Sequence, residues 1–193
     1  PANNSWTLGT RMPTARMSPG VAVANGMMYV IGGFSLDDLF SQAMEVYSPV
    51  DDTWTVLEAM PSGRSRPAVG VIDGWILVVD GSSPASEAYV LANASWVEIA
   101  PKPTWSGRAG AAVLNGKFYI AGGTEYTASI LRGRRLEVYT LATDSWSTAT
   151  SMPTGRDYLG MVAIGGLLYA VGGRTEDDIS DYVEVYNVTL DEW

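Results

Sequence analysis

The stretch GLLYAVGGR, residues 166–174, decides the fold because the chain repeats it. GMMYVIGGF stands at 26–34, GWILVVDGS at 74–82 and GKFYIAGGT at 116–124. Each reads as a short buried strand that runs into glycine. The second glycine falls at Gly33, Gly81, Gly123 and Gly173, with gaps of 48, 42 and 50. Tryptophans fall at Trp6, Trp54, Trp96, Trp146 and Trp193, with gaps of 48, 42, 50 and 47. Two landmarks on the same uneven beat establish an internal repeat.

Further landmarks lock to this frame. Tyr47, Tyr89, Tyr139 and Tyr186 each precede a tryptophan by seven, and Glu45, Glu87, Glu137 and Glu184 each precede that tyrosine by two. Prolines follow at Pro13, Pro61, Pro103 and Pro153. Asn25-Gly26, Asp73-Gly74, Asn115-Gly116 and Gly165-Gly166 precede the quoted strands and suit a two-residue type I′ hairpin turn, in which both central residues need positive φ. Each repeat thus predicts four short antiparallel strands, near 19–24, 27–32, 43–48 and 53–58 in the first. The one helical candidate, SLDDLFSQAMEVY at 35–47, is weak. A single four-stranded sheet of this length cannot bury both faces, and stacking successive sheets around an axis solves the problem, which is propeller architecture. The repeated Trp and Tyr are expected to pack between blades. The repeated Glu is expected to bridge to the loop arginine of its own blade.

The ordered set of double glycine, Glu-x-Tyr, Trp, Met-Pro and Arg resembles the kelch repeat over nearly the whole chain. The fold expected is an all-β kelch-type propeller of four repeats, at approximately 14–60, 61–102, 103–152 and 153–193. Residues 1–13 are expected to form the last strand of a preceding blade. Four departures stand out: Asp80-Gly81 replaces a double glycine, Leu77 replaces the strand-two tyrosine, the Met before Pro103 is missing, and Ser106 stands where other repeats carry Arg16, Arg64 and Arg156. Kelch rings are commonly larger, about six blades. Trp6 and Trp193 occupy one phase, so the four repeats are expected to be part of such a ring, with exposed sheet edges and a tendency to self-associate.

Composition removes several classes of function. The net charge of −9 argues against a nucleic-acid partner, which calls for a basic stripe. The chain has no cysteine and no histidine, so disulfides, thiolate sites and the commonest general base and metal ligand are absent. No apolar run is long enough for a membrane helix. The acidic run TEDDIS, 175–180, lacks the oxygen ladder of a calcium loop. No cofactor and no metal are expected. A cytoplasmic location is expected, with the sequons at Asn3, Asn93 and Asn187 leaving a secreted origin open.

The arginines carry the functional expectation. Ten of the twelve basic residues are Arg. Alignment on the glycines puts Ser18, Arg66, Arg108 and Tyr158 in one register, just before the first strand of each repeat. Phe34, Ser82, Thr124 and Arg174 form a second register after the glycines, and Phe40, Ser82, Arg132 and Ile179 a third. Strand alternation sends these loops to one face of the disc, where arginine and aromatic groups converge as in a peptide hot spot. RSRPAVGVIDG, 64–74, and GGLLYAVGGR, 165–174, are most similar to the kelch domains of cullin ubiquitin-ligase substrate adaptors. That resemblance implies capture of an acidic peptide by Arg66, Arg108, Arg132, Tyr158 and Arg174, to which the aromatic Phe34 is added from the register. Guanidinium forks suit carboxylates. The expectation is a protein-binding module and not an enzyme. An epimerase-like site of the kind found in some kelch proteins, or a cytoskeletal scaffold binding through blade edges, are the alternatives.

Overall fold

The structure is a computed structural model that describes residues 4–126 and 130–193. Blade 1 comprises strands Gly20–Ala24, Met27–Ile31, Met44–Ser48 and Thr53–Val56, paired antiparallel in chain order. Blade 2 comprises Ala68–Ile72, Trp75–Val79, Ser86–Val90 and Ser95–Glu98. Blade 3 comprises Gly110–Leu114, Lys117–Ala121, Leu136–Thr140 and Ser145–Ala149. Blade 4 pairs Gly160–Ile164, Leu167–Val171 and Val183–Asn187, and an isolated bridge from Asn187 to Glu192 marks its fourth position. Both central residues of every first hairpin have positive φ, for example 51° at Asn25 and 73° at Gly26, as the type I′ reading requires.

The SLDDLFSQ stretch forms no helix; residues 35–43 are loop leading into Met44–Ser48. Residues 4–13 carry no strand, a difference from the expected outer strand of a preceding blade. They are held instead by blade 1, where Thr10 donates its amide to Asp52 at 2.8 Å and its carbonyl accepts from Trp54 Nε1 at 2.9 Å. A small sheet, Ser106–Gly107 with Thr124–Tyr126 and Ile130–Arg132, was not expected; it rises beside the blade 3 loops.

Strand alternation gives each blade two faces, and successive blades pack one on the next. Ala22 and Ala24 of blade 1 meet Ile76 and Val78 of blade 2, Leu77 and Val79 of blade 2 meet Phe118 and Ile120 of blade 3, and Tyr119 and Ala121 of blade 3 meet Leu168 and Ala170 of blade 4. The opposite face of blade 1 leaves Val21 and Val23 exposed, and that of blade 4 leaves Val162, Ile164, Val171 and Val183 exposed. The four blades therefore form an open arc, the geometry of a partial propeller.

At the rim, each blade is stapled to its predecessor. Trp146 Nε1 donates to the Ala100 carbonyl at 2.8 Å, while Asp144 accepts from the Ala100 amide at 2.7 Å and from Tyr139 Oη at 2.7 Å. Trp54 with Asp52 and Trp193 with Asp191 repeat the arrangement. In blade 2, Ala94 stands in the aspartate position and only the Trp96 bond to the Glu58 carbonyl remains. The Tyr–Trp rings lie with centroids 5.0–5.3 Å apart, so the aromatic repeat serves packing.

The first glycine of the pair abuts the next blade in blades 1 and 3. A Cβ at Gly32 (φ 63°) would lie 2.5 Å from the Arg64 carbonyl oxygen, and one at Gly122 (φ 66°) 2.5 Å from that of Arg156. Both positions need glycine for space and for backbone conformation. The amides of Gly33 and Gly123 donate to the same two carbonyls at 2.9 and 2.8 Å. The double glycine is thus where one blade's backbone docks on the loop that enters the next.

Candidate functional site: an arginine-rimmed mouth

The loops that enter each blade are anchored from beneath by buried ion pairs. Arg16 bonds Glu45 at 2.5 Å, Arg64 bonds Glu87 at 2.5 Å, and Arg156 bonds Glu184 at 2.7 Å. Arg64 also reaches the Ala85 carbonyl at 2.8 Å, and Arg156 that of Gly172 at 2.7 Å. The repeated glutamate is thus a structural partner of the loop arginine in three blades.

Blade 3 solves the same problem differently, and there three of the four sequence departures prove to be one unit. Met60 and Met152 lie against the first glycine of the preceding blade, their Cε atoms 3.2 and 2.9 Å from where a Cβ on Gly32 or Gly122 would be. In blade 3 the methionine position is Lys102 and the glycine position is Asp80, so an apolar contact becomes an ion pair of 3.1 Å. Lys102 Nζ also lies 2.7 Å from Glu137, doing the work of the arginine that Ser106 has replaced. Ser106 donates from its amide and hydroxyl to Asp80 at 3.1 and 2.9 Å. Burial pushes the Asp80 carboxyl above the ordinary range, against the opposing pull of Lys102 and Ser106.

Above these anchors, Ser18, Arg66, Arg108 and Tyr158 all adopt left-handed backbone, with φ of 51°, 54°, 63° and 58°. Non-glycine residues avoid this region, and its fourfold use turns each side chain to the mouth. The loops are chained across blades: the Arg66 amide donates to the Ser18 carbonyl at 2.9 Å and that of Tyr158 to Arg108 at 2.8 Å. Tyr158 is half exposed, and three guanidinium carbons approach its ring centroid: Arg108 at 5.1 Å, Arg174 at 5.5 Å and Arg66 at 5.8 Å. Arg66 lies also over the Phe34 ring at 5.2 Å. These are cation–π distances. A cleft of about 270 Å³ opens between Arg66, Arg108 and Tyr158, floored by Pro67, Ala109 and Leu159.

Two carboxylates that the sequence registers do not contain sit in this cluster. Asp157 accepts both Arg174 Nε at 3.0 Å and Nη2 at 2.8 Å, and accepts Thr124 Oγ1 at 2.8 Å. Arg132 Nε lies 3.7 Å from its other face, and Arg132 Nη1 bonds Glu176 at 2.5 Å. Burial alone would raise the Asp157 pKa, but the Arg174 and Thr124 hydrogen bonds and the charges of Arg174 and Arg132 outweigh it and hold the carboxyl below its ordinary value. The structure thus places Phe34, Arg66, Arg108, Tyr158 and Arg174 around one mouth. Arg132 joins them through Asp157. Phe40 and Ile179, of the third register, are exposed. A residue one step from an aligned register carries no signal within a single repeat, which is why Asp157 escapes a register reading.

Four-stranded antiparallel blades, stacked in series with their connecting loops gathered at one mouth, define a β-propeller. The Kelch motif model matches residues 15–61, 107–153 and 155–193, and the chain belongs to the kelch family. The unmatched stretch holds Asp80 and Lys102, the residues that depart from the repeat. No curated protein matches the sequence. Among solved structures, one described as "Structure of YjhT" superposes with a TM-score of 0.83 at 20% identity, over 94% of this chain. The chain spans 65% of the length of that structure, and the likeness is one of fold. Among the described residues no helix is long and apolar enough to cross a membrane.

Proposed function

We propose that this propeller arc is a protein-interaction module that holds a partner peptide at the arginine-rimmed mouth. The observation that carries the reading is the gathering of Arg66, Arg108 and Arg174 around the half-exposed Tyr158 ring, beside an open cleft. Aromatic and arginine side chains are the usual anchors of binding hot spots. Two of the mouth's cations, on Arg66 and Arg108, have no carboxylate closer than 4.0 Å among the described residues, which favours an acidic partner. Binding in place of catalysis is favoured by Asp157: an acid–base carboxyl would carry a raised pKa, whereas this one is lowered. Such a module suits the substrate-recognition part of a ubiquitin-ligase adaptor.

Selection of a displayed random-peptide library on the wild-type chain tests the reading. Enriched peptides are expected to be acidic and to lose at least about tenfold in affinity for Arg66→Glu. The melting temperature of that variant should stay within about 2 °C, because the Arg66 side chain makes no ion pair among the described residues. Peptides that bind the folded variant equally well overturn the mouth as the site.

The exposed Val162, Ile164, Val171 and Val183 on blade 4, and Val21 and Val23 on blade 1, further support self-association of the chain through its end faces. Sedimentation velocity should show the wild-type chain associating with rising concentration and Ile164→Lys shifting it toward monomer. A wild-type chain that stays monomeric throughout removes this expectation.

A further inference from the structure

We propose that Asp157 is a built-in counter-ion that sets the selectivity of the mouth, so that the ligand it takes is a peptide presenting one isolated carboxylate and not an acidic run. The inference rests on the reading of the mouth as a peptide site and specifies its ligand. Asp157 is fully buried and its carboxylate is occupied on both oxygens by Arg174, Thr124 and the neighbouring Arg132. Two backbone bonds, Asp157 to Arg174 at 3.0 Å and back at 2.8 Å, lock the pair in place. Arg132 is held further by Glu176, through Nη1 at 2.5 Å and its amide at 2.9 Å.

The mouth is therefore divided. On one side Arg132 and Arg174 already face carboxylates. On the other, Arg66 has none among the described residues, and Arg108 is bonded to the Thr124 hydroxyl at 3.1 Å and sits 4.0 Å from Asp157. Arg108 Nε is buried without a hydrogen-bond partner among the described residues. Four guanidiniums against two carboxylates leave two positive charges, both beside the cleft and both within 6 Å of the Tyr158 ring. Arg66 and Arg108 line one cleft, so one ligand carboxylate seated there faces both charges. A second would find Arg174 and Arg132 already neutralised by Asp157 and Glu176, and would meet Glu176 itself or the exposed Asp37, Asp38, Asp177 and Asp178 of the same loop class. The fold does not require an acid here, since the corresponding positions are Met17, Ser65 and Gly107. Selectivity by an installed repulsive group is a common device.

Fluorescence anisotropy with two labelled peptides of one length and one glycine-serine background tests this, one peptide carrying a single central glutamate and the other four consecutive glutamates. The wild-type chain is expected to bind the tetra-acidic peptide no more than about threefold tighter than the mono-acidic one. Asp157→Asn, which releases Arg174 and Arg132, is expected to raise that preference to about tenfold or more. Glu176→Gln, at an exposed position, should move it the same way by less, and serves if Asp157→Asn does not fold. A wild-type preference of tenfold or more for the tetra-acidic peptide, lost in Arg66→Glu, overturns the counter-ion while leaving the mouth as the site. Variants that leave the ratio unchanged overturn it equally. Absence of binding to either peptide overturns both readings.

Discussion

Lys102→Met is expected to lower the melting temperature by roughly 10 °C, although it restores the residue found at the same position in the other blades. Among the described residues Lys102 is the one cation within ion-pair distance of both Asp80 and Glu137, at 3.1 and 2.7 Å, and all three side chains are almost fully buried. Removing one partner of a buried ionic group typically costs about 3–5 kcal/mol, because the charges left behind cannot be rehydrated. Without Lys102, the opposing pull on the Asp80 carboxyl is lost and its protonated form is favoured further. Asp80 already has a raised pKa in the native chain, burial being the first cause. A carboxyl whose folded pKa lies above its unfolded value contributes stability below the unfolded value and loses it as pH rises through the folded one. Lys102→Met should therefore gain stability between neutral pH and about pH 4, opposite to ordinary acid denaturation. The triple variant Asp80→Gly, Lys102→Met, Ser106→Arg rebuilds the glycine, methionine and arginine of the other blades and should return to within about 1 kcal/mol of the native chain, a strongly non-additive result. Thermal melts across pH check all of this. A single variant as stable as the native chain, or a triple variant less stable than the single, would show that the three residues are not one unit.

That unit also marks where a sequence stops being legible. Asp80-Gly81, the missing methionine before Pro103, and Ser106 are each visible as departures. Alignment of repeats compares a position with its own counterparts. The contact joins the glycine position of blade 2 to the methionine and arginine positions of blade 3, so three departures in two repeats are one compensated exchange only in space. The fold suffers no such difficulty. Double glycines, Trp, Tyr and the Asn-Gly turns report local conformation and packing that recur in every blade, and repetition separates them from chance. The glutamates are legible as partners of the loop arginine for the same reason. The mouth lies between these extremes. Its left-handed register, Ser18, Arg66, Arg108 and Tyr158, follows from alignment on the glycines. Its charge balance does not, because Asp157 and Glu176 each occur in one blade only, and both also reach Arg132 of the preceding blade.

Arg64→Met and Arg156→Met are the same substitution at equivalent positions, yet the first should cost about 3–5 kcal/mol and the second about 2 kcal/mol less. Both arginines are fully buried and both bond the glutamate of their blade, at 2.5 Å to Glu87 and 2.7 Å to Glu184. Their partners differ in surroundings. Glu87 lies on the face of blade 2 that packs against blade 1, with its side chain 3% exposed, whereas Glu184, 14% exposed, belongs to the blade at the open end of the arc. Without its arginine, Glu87 would remain a dry charge, and the carbonyls of Ala85 and Val78 would lose their donor. Glu184 is close enough to solvent for water to replace the lost guanidinium. Chemical denaturation of the two variants in dilute solution measures the difference. Equal losses would mean that burial of the acid does not govern the cost.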